Sequence, residues 1–394
     1  MARQIVAGID IGTSEVKVII AEASTGSFPK IIGTGSSESR GVYRGYIANQ
    51  PEASRSVAIA VRRAEKAAGV KIKRAYVAFG GIGLESTTST GNILITRADQ
   101  EIGERDLTLA LEAAETNIPK AEVINKKIIN TVPIEYKIDG KAVWGQAVGL
   151  KGHKLEVKAL FITCLEHHLN DLISTVEEAG VEVIDVVASP VASSLVTVSK
   201  KEKRVGCILI DIGAETLSSV VFENNNLISL QVLPSGASDL SNEIALSLKI
   251  SLEEAESLKI GDDRGLVYPK KKLDDVILKH FSESFGQVEK HLKSIGRDGL
   301  LPAGVILAGG GASISLVKSV AERVLKLPAH LAEIHSDASE GKIRDRSWAV
   351  ASGLVLLGFN SDEEQRSIGI RNGSLPTGTQ WGRMIYRWFS QFLP

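Results

Sequence analysis

Gly8-Ile9-Asp10-Ile11-Gly12-Thr13-Ser14 sits between two apolar, β-branched runs, residues 3–9 and 16–22, and so reads as a tight turn joining two strands. The first strand delivers the Asp10 carboxylate to the turn. Gly12 lets the backbone approach a ligand, and Thr13 and Ser14 supply N–H and hydroxyl donors. A turn of this kind wraps a phosphate while Asp10 holds a hydrated Mg²⁺, an ion that keeps several waters and takes few protein carboxylates. Lys17, on the following strand, is within reach of the same phosphates. By itself an Asp-x-Gly turn between strands is usually structural, so its meaning depends on what surrounds it.

Outward from this turn, residues 30–37 read as a third strand and 74–79 as another. Between them, 52–68 reads as a helix with apolar positions at Val57, Val61, Ala64 and Ala68. The pattern changes at residue 84, with a Ser/Thr/Gly run over 86–91, a helix over 104–116 and alternating segments such as 128–136. We read 84–162 as a small inserted subdomain. Strand and helix patterns resume over 159–164, 170–179 and 182–187, so 1–83 and 163–200 form one lobe. A helix opened by Ser189-Pro190 ends in the charged run 200–204, which reads chiefly as a solvated helix end, with an interdomain hinge as the alternative.

A second lobe, 201–358, begins as the first does. Strands 205–211 and 217–222 flank another Asp turn, and 227–233 is the next strand. Helices over 238–248, 252–259 and 273–295, a strand over 304–308 and a helix over 314–325 complete it, with 235–300 as its smaller subdomain. The echo of Asp10-Ile11-Gly12-Thr13 in Asp211-Ile212-Gly213-Ala214 predicts two halves of related architecture facing each other.

Two further motifs point to the same chemistry. Leu307-Ala308-Gly309-Gly310-Gly311-Ala312 runs a strand toward a helix through three glycines. That lets backbone lie against an adenosine or phosphate, and the next helix N-terminus adds its dipole. In Ala255-Glu256-Ser257-Leu258-Lys259, Glu256 and Lys259 share a helix face, as an ordinary ion pair also would.

Taken in order, D-I-G-T, D-I-G, the Pro234-Ser235-Gly236 loop, A-E-x-x-K and L-x-G-G-G-A resemble the actin, hexokinase and heat-shock chaperone ATPase superfamily. Gly41-Val42 with Arg44-Gly45, Ile134-Glu135-Tyr136 with Ile138-Asp139-Gly140, and Leu155-Glu156-Val157 are similar, in sequence and order, to the FtsA family of bacterial cell-division proteins. The resemblance covers residues 4–358 and the tail. It implies an α/β, two-lobed actin-like fold of duplicated ribonuclease H-like domains, with an inserted small subdomain and a C-terminal amphipathic helix. It also implies ATP and Mg²⁺ as cofactors, with Asp10, Gly12, Thr13, Ser14 and Lys17 in the first phosphate loop and Asp211, Gly213 and Thr216 in the second. Gly236, Glu256 and Lys259 would approach the nucleoside, and Gly309, Gly310 and Gly311 would complete the pocket. Asp10, through water, would hold the metal, and Asp10 and Asp211 would position metal and attacking water.

The second loop departs from the family's D-I-G-G-G-T-T-D, reading Asp211-Ile212-Gly213-Ala214-Glu215-Thr216-Leu217-Ser218. A carboxylate at Glu215 beside polyphosphate is expected to repel it, and the added Cβ atoms to crowd the loop, giving at most weak ATPase activity.

The tail carries the other functional signal. Trp381, Met384, Ile385, Trp388, Phe389, Phe392 and Leu393 recur at helical spacing on one face, while Arg383 and Arg387 lie on the other. This is the pattern of an interfacial helix, with aromatic residues at the headgroup boundary and Arg toward anionic phosphate. Residues 359–380, rich in Ser, Gly, Asn and Thr, read as a flexible linker before it. One such foot binds reversibly; polymerisation turns weak anchors into an avid array. With the resemblance, the expected partners are the FtsZ C-terminal peptide, other copies of this chain, an anionic membrane surface and other division proteins. The expected location is the inner face of the cytoplasmic membrane at the division site. A pilus-assembly actin-like adaptor and a small-molecule kinase on the same fold are the alternative readings.

Composition sets the outer limits. The chain has 394 residues, 46 Lys plus Arg against 47 Asp plus Glu, and a formal net charge of −1, which disfavours a nucleic-acid binder resting on a large positive field. Two cysteines, Cys164 and Cys207, make neither a disulfide framework nor a metal cage and are read as buried thiols. The opening apolar run is broken by Asp10, unlike a signal peptide, and the longest late apolar stretch, 349–359, is well short of the ~20 residues of a membrane span. The near-zero charge is an average of unlike parts: no acidic residue follows Glu364, and five of the nineteen aromatic residues lie within the last fourteen positions.

Overall fold

The computed structural model describes residues 4–23, 29–143, 145–262, 268–334, 343 and 345–367. The residues of the expected membrane-facing tail, Trp381, Arg383, Met384, Ile385, Arg387, Trp388, Phe389, Phe392 and Leu393, lie outside the described residues.

The first lobe is built from β1 (Gln4–Ile11), β2 (Glu15–Ala23), β3 (Lys30–Glu38), the hairpin β4 (Val42–Tyr43) and β5 (Tyr46–Ile47), α1 (Gln50–Ala68) and β6 (Arg74–Phe79). Residue chemistry fixes α1: Asn49 caps its first turn by accepting from the Glu52 N–H at 3.3 Å, a proline opens it, and Gly69 ends it with φ 69°. α1 lies directly on β3 because Gly33 has no side chain, and a Cβ there would sit 2.5 Å from the Ala64 carbonyl.

The insert follows as β7 (Glu85–Leu94), α2 (Glu104–Thr116), α3 (Lys120–Val123), β8 (Lys126–Ile138), β9 (Lys141–Val143) and β10 (Lys154–Leu165), with sheet order β7-β10-β8-β9. The Ser/Thr run over 86–91 lies within a strand, since β-branched threonine suits a pleated surface. The boundary expected at 162 falls inside β10, whose two faces serve different cores. Leu160, Ile162 and Cys164 join the first-lobe core, while Ala159 and Phe161 pack with Ala114 and Ile118 under α2. With Ile129 and Val132 of β8, which join the same core, β10 rivets the insert to the lobe.

The first lobe closes with α4 (Glu166–Glu178), β11 (Glu182–Ala188), α5 (Ser189–Thr197) and α6 (Lys200–Val205), giving the sheet order β11-β6-β1-β2-β3. The charged run in α6 is only partly solvated. Lys203 is 4% exposed with its Nζ 4.9 Å from the centre of the Phe222 ring, and burial pushes its pKa down to about 8.

The second lobe repeats the plan. It consists of β12 (Cys207–Ile212), β13 (Leu217–Glu223), β14 (Asn226–Leu233), α7 (Ala237–Leu248), α8 (Leu252–Lys259), α9 (Lys270–Ser294), β15 (Gly304–Ala308), α10 (Val317–Leu325) and β16 (Ala329–Leu331). Its sheet order, β14-β13-β12-β15-β16, matches the first with the same pattern of antiparallel and parallel pairings. Cys207 and Leu209 face a core shared with the first lobe, whereas Ile208 and Ile210 face a second core containing Phe281, Phe285 and Leu292 of α9. Both Cys164 and Cys207 are buried thiols, pushed up to about 12 by burial.

The last helix corrects two sequence expectations. α11 (Ala349–Ser367), assigned to the second lobe by position, returns to the first, where Ala351, Leu354, Val355, Leu357 and Phe359 join its core. Glycines make this docking possible: a Cβ on Gly8 would lie 2.8 Å from Leu354 Cβ, and one on Gly353 would collide with the Ala192 carbonyl of α5. The helix also continues to Ser367 through the segment expected as linker from 359, because Glu363, Glu364, Gln365 and Arg366 are good helix formers.

Candidate nucleotide cleft

Both Asp turns open on one cleft of about 560 Å³ between the lobes. Asp10, next to last in β1, lies opposite Lys17, and Asp211, next to last in β12, lies opposite Ser218; each has an alanine as its parallel neighbour, Ala78 and Ala308. The turns close alike, the Gly12 N–H donating to the Glu15 carbonyl at 3.1 Å and the Gly213 N–H to the Thr216 carbonyl at 2.8 Å. Gly12, Thr13, Ser14, Lys17, Gly213, Thr216, Glu256, Lys259, Gly309, Gly310 and Gly311 line the same cleft.

Gly236 is placed differently, behind the second loop. A Cβ there would collide with the Ala214 carbonyl, and the following Ala237 and Ser238 N–H groups donate to the Gly213 and Ala214 carbonyls at 3.0 and 2.7 Å. Its task is to let α7 dock on the loop.

Electrostatics distinguish the centre of the cleft. Burial, reinforced by the nearby Asp211 charge and opposed by Lys17, pushes the Asp10 carboxyl up to about 7. Asp211 is raised too, chiefly by burial, against the Ser193 hydroxyl and Lys17. Two carboxylates destabilised as anions in one cleft form a site that a cation relieves. Among the described residues no cluster of three ligating side chains exists, so the chemistry suits an ion whose remaining ligands are waters and phosphate oxygens. Lys17 is tied down, its Nζ donating to the Ser347 carbonyl at 3.1 Å and lying 3.3 Å from Glu15.

On the second-lobe side, Lys259 is buried and lies 2.6 Å from Glu256; its Nζ also donates to Ser241 Oγ at 2.8 Å and to the Ala237 carbonyl at 3.1 Å. Ser241 in turn donates to Glu256 at 2.7 Å. The glycine-rich stretch gives open backbone, since nothing lies within 4 Å of a Cβ built on Gly310. Its helix dipole is less than expected: Gly310–Ser313 is a short 3₁₀ turn, and α10 starts only at Val317, after Leu316 at φ 68°.

Glu215 is the main correction at the site. Its carboxylate does not line the cleft; it turns away and accepts a 2.6 Å hydrogen bond from the Arg44 N–H across the lobes. The expected repulsion of polyphosphate loses its basis, because a flexible side chain reached a backbone donor that sequence order hides. Gly80, Ser189 and the Asp345-Arg346-Ser347 turn also line the cleft and escaped the sequence reading. Gly80-Gly81 could have been found, since the pair follows β6 as Gly309-Gly310-Gly311 follows β15. His167 and His168 form no metal site; His168 stacks on Tyr46 with 3.7 Å between ring centres.

Two lobes of repeated topology around a cleft with paired Asp turns define an actin-like α/β protein. Among solved structures, the PilM-PilN type IV pilus biogenesis complex matches with a TM-score of 0.62 and 17% identity, over 90% of this chain and 98% of that one. MreB5 of Spiroplasma citri bound to ADP matches with a TM-score of 0.53 and 12% identity, over 93% of this chain and 99% of that one. In sequence, the family described as "Cell division protein FtsA" matches residues 208–353, and "SHS2 domain inserted in FTSA" matches 81–163. The cell division protein FtsA of Streptococcus pneumoniae serotype 2 is 30% identical over 338 residues, 80% of this chain and 73% of that protein. The chain belongs to the FtsA family of cell-division proteins.

Proposed function

We propose that this chain binds ATP with Mg²⁺ between its lobes, self-associates, and tethers FtsZ to the inner face of the cytoplasmic membrane at the division site. The observation that carries the nucleotide reading is the convergence of Asp10, Asp211, Lys17 and the three glycines on a single interlobe cleft. In this reading, Thr13, Ser14 and Lys17 bind phosphate oxygens, and Gly309 to Gly311 give the nucleoside flat backbone. Glu256 and Lys259, fixed by Ser241, form the far wall. Mg²⁺, held through water by Asp10 and Asp211, would neutralise the triphosphate. Ser189 and Ser218 put hydroxyls, rather than carboxylates, at two cleft positions, which suits retention over rapid hydrolysis.

The tethering half rests on family membership and on the amphipathic face of residues 381–394. No helix among the described residues is long and apolar enough to cross a membrane. The likeness to PilM supports a second reading as a pilus-assembly adaptor; membership of the FtsA family and the aromatic foot favour division. Sedimentation with vesicles of phosphatidylglycerol and phosphatidylethanolamine tests the proposal. The full chain should co-sediment and recruit FtsZ, and deletion of 381–394 should abolish both; unchanged binding by the deletion variant removes the tethering role.

A further inference from the structure

Glu215 joins two pieces of structure that are each held rigidly on opposite sides of the cleft. Its own loop is pinned from below by the Ser238 N–H on the Ala214 carbonyl, 2.7 Å away, and by the close approach of Gly236. Its partner, Arg44, is at the tip of the β4–β5 hairpin, held at φ 48° between Gly41 at φ 72° and Gly45 at φ 77°. A non-glycine residue in that conformation is uncommon, and here it coincides with an interlobe bond. The hairpin base is closed by the Ala48 and Asn49 N–H groups, which donate to the Gly41 carbonyl at 2.8 and 2.9 Å. Its tip rests on the segment after β6, where a Cβ on Gly45 would lie 2.6 Å from the Gly80 carbonyl. Gly45 and Gly80 both line the cleft, as do Ala214 and Thr216 on either side of Glu215.

A residue that breaks the family's glycine run thus bridges the lobes at the edge of the cleft. We infer that Glu215 is a positioning residue: it clamps the second phosphate loop to the first-lobe hairpin and so sets how long a nucleotide is retained. A carboxylate accepting from a backbone N–H is among the stronger hydrogen bonds, and both ends are preorganised, so losing it loosens the loop and the hairpin from each other at this side of the cleft. The inference rests on the nucleotide reading above, and the test separates the two.

In the full chain, Glu215→Ala is compared with Glu215→Gln, whose amide oxygen still accepts, and Glu215→Asp, one methylene shorter. Hydrogen exchange of residues 41–46 without nucleotide should speed up about tenfold in Glu215→Ala and stay near wild type in Glu215→Gln. Release of a fluorescent N-methylanthraniloyl ATP should quicken about tenfold in Glu215→Ala, less in Glu215→Asp, and by no more than about twofold in Glu215→Gln. Unchanged exchange and release in Glu215→Ala overturn the clamp. Faster exchange with unchanged release overturns its control of retention. Failure of wild type to bind the analogue overturns the nucleotide reading, and with it the retention role, while the exchange result still reports whether the contact holds the lobes.

Discussion

The hairpins 10–17 and 211–218 have the same length, the same turn hydrogen bond and the same place in their sheets, yet their side chains have parted company. Aligned on the aspartates, Thr13 faces Ala214, Ser14 faces Glu215, Glu15 faces Thr216 and Lys17 faces Ser218. The first turn keeps two hydroxyls and an anchored ammonium beside the cleft. The second has Ala214 where the first has Thr13, Ser218 where it has the ammonium, and a Glu215 carboxylate that bonds to the opposite lobe. A repeated scaffold therefore fixes where two loops stand, and the side chains differentiate them: in the proposal, the first binds phosphate while the second bonds across the lobes through Glu215.

The largest expected effect concerns the glycines that let the second aspartate sit against backbone. Gly309 has φ 79°, and a Cβ there would collide with Asp211 and lie 2.5 Å from the Ile212 carbonyl, whereas Gly310 faces open space. Gly309→Ala should cost about 2 kcal/mol or more in urea unfolding, against less than ~0.5 kcal/mol for Gly310→Ala. Equal losses would mean that the second aspartate needs no such approach.

The aligned pair Lys17 and Ser218 tests which hairpin grips phosphate. By calorimetric titration, Lys17→Ala should weaken ATP binding about tenfold and Ser218→Ala by less than about twofold, as the values of charged and neutral hydrogen bonds require. The reverse ranking would exchange the roles assigned to the two hairpins.

The smallest effect concerns coupling between the aspartates. Asp10 titrates near pH 7 in the folded chain and near 3.8 as an ordinary carboxyl, so between those values the folded state holds a proton that the unfolded state has released. Stability therefore falls as pH rises from about 4 to about 7, with no contribution from Asp10 below that window. Asp211→Asn removes a neighbouring negative charge, lowers the Asp10 titration point, and should shrink this fall by on the order of 1 kcal/mol. Carboxyl carbon resonances followed against pH measure the Asp10 shift directly. An unmoved Asp10 would show that the Asp211 charge contributes nothing and that burial, against Lys17, sets the shift.

Much of the framework is legible because its causes are local. Strand Arg74–Phe79 and helices Glu104–Thr116 and Leu252–Lys259 fall where periodicity places them, and the last of these has a Ser251–Glu254 capping box. Lys203 misled because a charged run says nothing of an aromatic ring nineteen positions later. Ser241 was missed for a similar reason, since only the packing of α7 on α8 brings it to Glu256 and Lys259.

The sequence by itself determined the two strand–Asp–Gly–strand hairpins, the glycine-rich stretch beside the second, and the contrast between a mildly acidic body and an aromatic, basic foot. These follow from turn chemistry, side-chain alternation and helical spacing, which act over a few residues. Tertiary structure alone decided that α11 returns to the first lobe, that β10 belongs to two cores, and that Glu215 crosses to Arg44. Each of those outcomes depends on which surfaces fit closely enough to exclude water, or on which buried donor meets which acceptor, and such partners lie up to hundreds of positions apart in the chain.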